Sequence, residues 1–402
     1  MRKLVSTRLF LQVQGALFAA LLAMTAVHAA EPVFEAQEID AKISIGYGLA
    51  VGDVDGDKKP DILLVDKKQI VWYHNPDWKK HVIWENPTAL DNVCIAAQDI
   101  DGDGKVEIAI GAGWNPSDTV TSGSVHYLIA PEDRTQKWEA VDLHHEPTVH
   151  RMKWVKDAAG KAFLVVAPLH GRANKGGEGA GAKLIAYKLP ADPKKEWSTE
   201  VIDESMHVTH NLDVVQWDDD PEQEILLGGR EGVALLDHTS KGWQKTMLVE
   251  SLDGGKSGAG EVRAGVFGKT ERLIATVEPF HGSMAVLYNQ STAGDKKLWE
   301  RRILDDNLKE GHALACADLL GLGNDQVIVG WRNPNKAGKV GINLYLSSVA
   351  GQPWQKVAVD ENGMACEDLM VADLNGDGKA EIIAAGRATK NVKIYWNRGL
   401  KK

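Results

Sequence analysis

Histidine, glutamate and arginine recur in this sequence at a regular spacing. A segment of about fifty residues repeats seven times along the chain. In five of the seven copies a His or Glu is followed twenty residues later by a His or Arg, and the pairs are His150/His170, His210/Arg230, Glu261/His281, His312/Arg332 and Glu367/Arg387. If the copies form a closed ring, these side chains gather on one face of a central channel.

The first residue of each pair is a candidate metal ligand. Three imidazoles, or two imidazoles and a carboxylate, form a site for zinc that leaves one coordination position open for a substrate. We therefore predict zinc or a similar divalent transition metal at the channel, with the ligand candidates His150, His210, His312, Glu261 and Glu367.

The second residue of each pair is suited to acid–base or electrostatic chemistry. Histidine titrates near neutral pH, so His170 or His281 could move a proton beside a carbonyl that the metal polarises. Guanidinium groups bind carboxylates, enolates and vicinal hydroxyls, and the candidates are Arg230, Arg332 and Arg387. So many potential cations repel one another, which predicts a compensating ion or an anionic ligand. Aromatic faces that could stack on a sugar ring are those of Tyr47, Trp114 and Trp331, and Tyr47 is also a candidate catalytic residue.

Acidic turns that contain glycine are a second candidate metal-binding feature. Oxygen ligands at positions 1, 3, 5 and 9 of a tight turn suit calcium, although the glutamate at position 12 of an EF-hand is missing. The clearest turns contain Asp53, Asp55, Asp57 and Asp61; Asp99, Asp101, Asp103 and Glu107; and Asp373, Asn375, Asp377 and Glu381. A fourth turn, Gln216–Glu224, is degraded. Such turns also occur without an ion. We expect calcium here to brace the fold, without a catalytic role.

The acidic turns also indicate the secondary structure. Each turn lies between two short apolar runs, which is typical of a β-hairpin. A third apolar run follows in most copies, as in Ile70–Tyr73, and a fourth run begins at a tryptophan such as Trp197. Four strands in each of seven copies predict an all-β, seven-bladed β-propeller with antiparallel strands. Since the second strand of each blade runs antiparallel to the first, both members of each pair should lie on one face and the acidic turns on the other.

The last copy provides only three of the four expected strands. The segment Phe34–Asp40 is similar to Trp197–Asp203, which has the pattern of a fourth strand. We predict that this N-terminal segment completes the last blade, because the closed ring then has no exposed strand edge.

The N-terminus has the pattern of a secretory signal peptide. Arg2, Lys3 and Arg8 precede an apolar stretch that ends in small residues at Ala30. An N-terminal membrane anchor is the alternative, and Gln12 and Gln14 disfavour it because they interrupt the stretch. We predict a signal peptide over residues 1–30, a single propeller domain over 31–402, and export to the periplasm or the medium.

Charge and cysteine content narrow the choice of partners. The net charge of −10 argues against nucleic acid. No later segment is apolar and long enough to span a membrane. The three cysteines, Cys94, Cys316 and Cys366, lie at or near the starts of apolar runs and are interpreted as small buried hydrophobic residues.

Two family resemblances follow from these residues. The acidic turns and their flanking strands resemble the FG-GAP/VCBS repeat family of secreted and cell-surface propellers, which implies the fold and very little about function. The histidines of Pro168–Arg172 and Glu278–Gly282, together with the inner ring, resemble the propeller domain of aldos-2-ulose dehydratase-type enzymes. Those enzymes are metal-dependent lyases that eliminate water from keto-sugars, and the fungal ones carry further β-domains.

The leading functional hypothesis is an exported, metal-dependent carbon–oxygen lyase or isomerase. Its substrate would be a small carbohydrate, namely a keto-sugar or keto-glycoside, bound at the channel mouth. One alternative is a polysaccharide lyase that acts on uronic-acid polymers. Another is a non-catalytic, calcium-binding propeller that binds carbohydrate or protein. Acyl transfer is poorly supported, since no Ser or Cys lies in a nucleophile-elbow context.

Overall fold

The computed structural model describes residues 31–401 except 256, 269, 294–295 and 348–352. The predicted signal peptide lies outside the described residues. Within them the chain forms seven four-stranded antiparallel sheets. The predicted seven-bladed, all-β propeller is therefore confirmed. Among the same residues, no helix has the length and apolar character needed to cross a membrane.

The strands of each blade follow one another along the chain, from the channel outward. Blade 1 contains β2 (Gly48–Gly52), β3 (Asp61–Val65), β4 (Gln69–His74) and β5 (Lys79–Glu85). Blade 2 contains β6 (Cys94–Gln98), β7 (Glu107–Ala112), β8 (Ser124–Ile129) and β9 (Glu139–Leu143). Blade 3 contains β10 (Val149–Lys156), β11 (Ala162–Pro168), β12 (Leu184–Lys188) and β13 (Ser198–Asp203). Blade 4 contains β14 (Thr209–Val215), β15 (Glu224–Gly229), β16 (Gly232–Thr239) and β17 (Gly242–Glu250).

The remaining three blades complete the ring. Blade 5 contains β18 (Glu261–Phe267), β19 (Glu271–Glu278), β20 (Met284–Ala293) and β21 (Lys296–Asp305). Blade 6 contains β22 (Gly311–Ala317), β23 (Gln326–Trp331), β24 (Gly341–Leu346) and β25 (Gln355–Glu361). Blade 7 contains β26 (Cys366–Ala372), β27 (Glu381–Gly386), β28 (Asn391–Leu400) and the N-terminal strand β1 (Pro32–Asp40). Each inner strand packs against the inner strand of the next blade, and β26 packs against β2.

The N-terminal strand closes the ring. Strand β1 pairs antiparallel with β28, with Glu35 opposite Trp396 and Gln37 opposite Ile394. The predicted role of Phe34–Asp40 is therefore confirmed. The pairing covers the outer edge of blade 7, which would otherwise present unpaired backbone N–H and C=O groups.

Acidic residues near the ends of outer strands join neighbouring blades. Tyr345 of blade 6 donates a 2.6 Å hydrogen bond to Asp305 at the end of β21 in blade 5. In the same way, Tyr73 of blade 1 donates a 2.8 Å bond to Asp40 at the end of β1. These tyrosines are buried, so each bond satisfies a hydroxyl that would otherwise be costly to bury and links two sheets that share no backbone pairing.

The inner strands set the position of the candidate site. Each runs from the face that carries the paired His, Glu and Arg residues to the face that carries the acidic turns. His150, for example, lies at the start of β10, whereas Asp53 and Asp99 directly or closely follow the ends of β2 and β6. The two candidate features of the sequence are therefore on opposite faces of the disc.

Candidate functional site

Four histidines from successive blades meet at the channel mouth. His150 of β10, His210 of β14 and His312 of β22 come from the starts of inner strands, and His281 follows β19. The ring centroid of His210 lies 4.4 Å from that of His150, 4.3 Å from that of His281 and 5.3 Å from that of His312. The repeat therefore converts a sequence separation of more than a hundred residues into direct ring contact.

Hydrogen bonds from the Nδ1 atoms fix the tautomer of three of these histidines. His150 Nδ1 lies 2.8 Å from the carbonyl oxygen of His210, and His312 Nδ1 lies 2.6 Å from that of Glu367. His210 Nδ1 lies 2.7 Å from the carbonyl oxygen of Gly260. A carbonyl only accepts, so each Nδ1 must carry the proton. The Nε2 lone pair of a neutral ring is then free to bind a metal.

One ligand nitrogen from each of His210, His281 and His312 lies within 4.8 Å of the others. These three residues form the three-histidine group. Two of its members, His210 and His312, were predicted as metal ligands, whereas His281 was predicted as an acid or base. His281 Nε2 is in direct contact with His210 Nε2. The donor set of three imidazoles is one that zinc and similar divalent transition metals accept.

His150 lies beside the three-histidine group and outside it. Its Nε2 is 3.2 Å from Nη1 of Arg151, which also donates a 3.0 Å bond to the His150 carbonyl oxygen. The Nε2 lone pair of His150, which a metal would need, therefore already accepts a hydrogen bond from the guanidinium group of Arg151. On its other side, the ring packs against Trp114 with a centroid separation of 4.8 Å.

Glu261, another predicted ligand, lies beside Nδ1 of His210. Its Oε1 is 3.3 Å from His210 Nδ1 and has no hydrogen-bond partner among the described residues. Its Oε2 accepts a bond from Asn211. The side chain is only 1% exposed, and burial raises the pKa of its carboxyl group. Glu261 therefore contacts the protonated side of His210, and it orients that ring without joining the three-histidine group.

Glu367 forms ion pairs instead of joining the three-histidine group. Arg387 donates bonds of 2.6 and 2.7 Å to its two carboxylate oxygens. Arg332 Nη1 donates to the same oxygens at 3.0 and 3.1 Å, and Arg332 also pairs with Glu310 at 2.9 Å. Two of the three predicted anion-binding arginines are therefore held by carboxylates of the protein.

Tyr47 extends this network toward blade 2. Its hydroxyl donates a 3.0 Å bond to Asp91, and the guanidinium of Arg387 lies over its ring, 5.2 Å from the centroid. Burial, followed by the nearby charge of Asp91, raises the pKa of the Tyr47 hydroxyl above its ordinary value. The hydroxyl therefore keeps its proton over the physiological pH range.

His170 and Arg230 lie away from the three-histidine group. The backbone N–H of His170 bonds to Thr148 Oγ1 at 2.9 Å, and its ring Nδ1 is buried without a partner among the described residues. Arg230 donates a 2.5 Å bond to the carbonyl oxygen of Gly176. Trp331 is 4% exposed, and its indole N–H donates a hydrogen bond to the backbone carbonyl oxygen of Lys339. The prediction that a sugar stacks on Trp331 is therefore wrong, because the ring is part of the core.

Burial keeps the clustered imidazoles neutral. It lowers the pKa of His150, His210 and His312 well below the ordinary value, with further lowering by Arg151 or Arg332. Burial, then His210 and Arg332, lowers the pKa of His281 to about 2. The expected repulsion among many cations therefore does not arise from the histidines, since they are uncharged at neutral pH.

Unusual backbone conformations place some of these side chains. Thr148 and Glu310, each two residues before an inner-strand histidine, have φ angles of 54° and 53°. Phe280, directly before His281, has φ of 47°. Side chains other than glycine seldom adopt this left-handed region. A Cβ atom on Gly260 would lie 2.4 Å from the carbonyl oxygen of Phe280, so glycine is required where these two segments meet.

The predicted calcium turns share one hydrogen-bond pattern. The first aspartate of each turn accepts the N–H of the glycine three residues later, at 2.6 to 2.8 Å for Asp53, Asp99 and Asp373. The residue at position 9 accepts the N–H of position 2; these residues are Asp61, Glu107 and Glu381. The aspartate at position 5 pairs with a lysine at 3.1 to 3.3 Å; these residues are Asp57, Asp103 and Asp377.

Two of these turns bring three carboxylates within reach of one ion. One oxygen from each residue lies within 4.8 Å of the others in the sets Asp53, Asp55 and Asp61, and Asp99, Asp101 and Glu107. Burial raises the pKa of both Asp61 and Glu107 to about 7. In the third turn, the amide of Asn375 replaces a carboxylate and lies 3.4 Å from Glu381 Oε1.

The sequence interpretation missed three residues that contact the site. Arg151 follows His150 directly, and a cation on a buried inner strand was an available signal. Glu310 lies in the loop that precedes β22, two residues before His312. Asp91 occupies the same position before β6 that Glu310 occupies before β22, and the backbone N–H groups of Trp114 and Arg332 bond to their carbonyl oxygens in the same way, so the repeat offered a signal for both residues.

Comparisons with known proteins agree with this architecture. Residues 122–291 match the family model of the aldos-2-ulose dehydratase β-propeller domain, and residues 53–110 match that of the FG-GAP-like repeat. No curated protein sequence matches the chain. The first match thus contains His150, His210, Glu261 and His281, and it ends before His312.

Similar solved structures share the fold at low sequence identity. A chain of the mitotic checkpoint complex has a TM-score of 0.56 and 10% identity, over 97% of this chain and 99% of that chain. The Swd1 β-propeller domain of Myceliophteria thermophila has a TM-score of 0.52 and 9% identity, over 90% and 99%. The extracellular domain of a putative hybrid two-component system from B. thetaiotaomicron has a TM-score of 0.54 and 12% identity, over 92% of this chain and only 40% of that chain. At such identities the likeness concerns the fold alone. The two resemblances drawn from the sequence are confirmed by the family models: the chain contains a region related to the aldos-2-ulose dehydratase propeller and a region related to FG-GAP repeats.

Proposed function

We propose that this protein is an exported, metal-dependent carbon–oxygen lyase that eliminates water from a keto-sugar or keto-glycoside at the channel mouth. The observation that carries the proposal is the three-histidine group, His210, His281 and His312, whose ligand nitrogens converge within 4.8 Å. The match of residues 122–291 to a sugar-dehydratase propeller supports the same chemistry.

The residues present fit a zinc-type metal. His210 and His312 donate their Nδ1 protons to carbonyl oxygens, which leaves Nε2 as the ligand atom. Burial keeps these rings neutral, as a ligand must be. A metal bound here would supply a Lewis acid that polarises the substrate carbonyl and acidifies the neighbouring C–H group.

The chain also offers groups for the two proton transfers of an elimination. A base must take a proton from the carbon beside the carbonyl, and the hydroxyl on the next carbon must leave as water after it accepts a proton. His150 is the imidazole that stays outside the three-histidine group, 4.4 Å from the His210 ring, and we assign its Nε2 the base role, which requires that the bound substrate displace the Arg151 guanidinium from that nitrogen. Tyr47 keeps its proton at neutral pH and is assigned the acid role, in which its O–H would turn from Asp91 to the leaving hydroxyl.

Glu367 and its two arginines position the site. The backbone carbonyl oxygen of Glu367 accepts a hydrogen bond from His312 Nδ1, and the carboxylate of Glu367 forms ion pairs with Arg332 and Arg387. Because these guanidinium groups already pair with Glu367, they are not available to bind the carboxylates of a uronate polymer. This arrangement favours a neutral keto-sugar over a uronic-acid polymer as the substrate.

Export is part of the proposal. The N-terminal residues have the pattern of a signal peptide. The FG-GAP-like match in residues 53–110 is consistent with a secreted propeller. Fractionation of cells that express the full chain tests this point, with the mature protein expected outside the cytoplasm.

Metal analysis and a keto-sugar assay test the chemistry together. Purified protein should contain about one equivalent of zinc or a similar metal, as one three-ligand site predicts. Incubation with keto-sugars should produce the ultraviolet absorbance of a conjugated enone. His312→Ala should lose both the metal and the absorbance. His238→Ala is the matched control and should keep both; it changes a histidine on β16, the third strand of blade 4, where the ring packs on Trp243.

The outcomes separate the alternatives. If His312→Ala retains the full metal content, the ligand assignment is wrong. If the protein cleaves uronate polymers and leaves keto-sugars unchanged, the polysaccharide-lyase hypothesis replaces ours. Metal at the site without any turnover on either substrate class would identify a binding propeller.

A further inference from the structure

The degraded acidic turn of blade 4 contains an unusual cluster of carboxylates. One oxygen from each of Asp218, Asp220, Glu224 and Asp237 lies within 4.8 Å of the others. The first three belong to the turn between β14 and β15, and Asp237 comes from strand β16. The cluster lies on the face of the disc opposite the three-histidine group.

Two buried oxygens in this cluster have no hydrogen-bond partner. Glu224 is 1% exposed, and its Oε2 accepts the N–H of Trp217. Its Oε1 is buried and has no partner within the part of the chain that the structure describes, and the same holds for Oδ1 of Asp237. A buried acceptor without a donor is costly, and it is costlier beside other carboxylates. Burial, then Asp218 and Asp220, raises the pKa of both carboxyl groups.

Side chains of this turn bond to its own backbone, although the turn has no aspartate at position 1. Gln216 stands at position 1, and its amide donates to backbone carbonyl oxygens of the turn, including that of Glu222 at 2.9 Å. Asp218 Oδ1 accepts the N–H of Asp220 at 2.9 Å, and Asp220 Oδ1 accepts the N–H of Glu222 at 3.0 Å. Each of these aspartates therefore has its other oxygen available to the cluster.

The third strand of a blade can reach the turn, as blade 1 demonstrates. His74, next to Tyr73 in β4, occupies the position equivalent to Asp237, and its Nε2 lies 3.5 Å from Asp55. In blades 2 and 7 the equivalent residues are Ile129 and Trp396, which offer no ligand oxygen. Among blades 1, 2, 4 and 7, the carboxylate at this position occurs in blade 4, whose turn has Gln216 instead of an aspartate at position 1.

We propose that Asp218, Asp220, Glu224 and Asp237 bind a calcium ion, with Asp237 compensating for the missing first aspartate of the turn. Four carboxylates form an all-oxygen ligand set suited to a hard divalent cation, and calcium tolerates irregular geometry better than magnesium does. The ion provides the positive partner that Glu224 Oε1 and Asp237 Oδ1 lack, and it ties the β14–β15 turn to β16. The site is independent of the sugar chemistry at the other face.

Calcium titration of the metal-free full chain tests this site. In isothermal titration calorimetry with calcium chloride, the wild type should bind one more equivalent of calcium than Asp237→Asn does. If the variant still binds the same number of ions, its affinity at one site should be at least tenfold weaker than that of the wild type. Asp219→Asn changes an exposed carboxylate of the same turn outside the cluster. This control should bind as the wild type does. Because both variants keep the other acidic turns, calcium bound there cancels in the comparison.

A second variant guards against misfolding. If Asp237→Asn does not fold by circular dichroism, Asp220→Asn, at an exposed turn position, should show the same loss. Calcium should also raise the melting temperature of the wild type more than that of either cluster variant, because it binds only the folded state. Equal stoichiometry and affinity in the wild type and the cluster variants would overturn the proposal.

Discussion

Acid should destabilise the metal-free protein through its buried histidines. His210 is 1% exposed and burial holds its pKa well below the ordinary value. The unfolded chain binds a proton at this residue near the ordinary pKa of about 6.5, whereas the folded chain does not. Its contribution to stability is therefore present above about pH 6.5 and lost as the pH falls. His210→Gln removes this linkage while it keeps a polar side chain.

The size of the effect follows from proton linkage. If the folded-state pKa lies far below the assay range, one histidine lowers the free energy of unfolding by about 1.4 kcal/mol at about pH 5.5 and about 2 kcal/mol at about pH 5.0, relative to neutral pH. Asp61 and Glu107, whose pKa values are raised to about 7, act in the opposite direction. Their contribution is common to the wild type and the variant, so the difference between the two proteins isolates the histidine.

Urea denaturation at several pH values in the presence of a chelator measures this difference. The stability advantage of the wild type over His210→Gln should shrink by the stated amount between neutral pH and about pH 5.5. His144→Gln changes a histidine with a side-chain exposure of 56% and should leave the profile unaltered. A wild-type profile parallel to that of His210→Gln would refute the reasoning, because His210 would then take up a proton in the folded state as readily as in the unfolded state.

Three further predictions concern the fold around the site. Glu367→Gln leaves Arg332 and Arg387 without their shared carboxylate, and we expect a loss of about 3 kcal/mol in the free energy of unfolding, measured in urea; an unchanged value would show that the pairing contributes nothing. Asp305→Asn weakens the contact that joins blades 5 and 6 through Tyr345, and calorimetry should show a lower melting temperature that corresponds to about 1–2 kcal/mol. Removal of residues 31–40 uncovers the edge of β28, and size-exclusion chromatography should then show association or aggregation, whereas a stable monomer would contradict the closure argument.

The fold could be predicted from the sequence because several local patterns agree. Apolar runs, acidic glycine turns and tryptophans recur in the same order in most copies, and each pattern specifies a strand or a turn. The segment Phe34–Asp40 completed the count of strands, and β1 occupies the predicted place beside β28. A repeated architecture makes such an argument strong, since each copy checks the others.

The division of roles within the site could not be predicted in the same way. Equivalent positions in a repeat place the Cα atoms alike, but they do not fix side-chain direction or the partner in the next blade. His150 and His210 occupy equivalent positions, yet the nitrogen of His150 that could bind a metal faces Arg151. His281 is the second residue of its pair, whereas His210 and His312 are the first residues of theirs. It joins the group because Phe280, directly before it, adopts a left-handed backbone conformation.

The ion pair between Glu367 and Arg387 could have been predicted from the sequence. The two residues stand twenty positions apart, on strands that pair antiparallel with Cys366 opposite Gly386. Opposite charges at facing positions of one hairpin predict an ion pair before they predict separate roles as a metal ligand and an anion fork. Asp237 was out of reach, because it comes from a strand outside the turn that it completes.

The charge balance of the channel mouth constrains the substrate. Many potential cations at one mouth predicted an anionic ligand, but those nearest the three-histidine group are either neutral or already paired with carboxylates. The clustered imidazoles are neutral because they are buried, and the charges of Arg332 and Arg387 are met by Glu310 and Glu367. A substrate that carries a carboxylate would therefore have to displace an internal ion pair, at a cost of several kcal/mol by analogy with other buried pairs. A neutral carbonyl compound, the substrate class that we propose, would not have to displace this ion pair. If the protein acts on neutral keto-sugars as proposed, its preference for them over acidic sugars should weaken in Glu367→Gln, where the two guanidiniums become available to an acidic ligand.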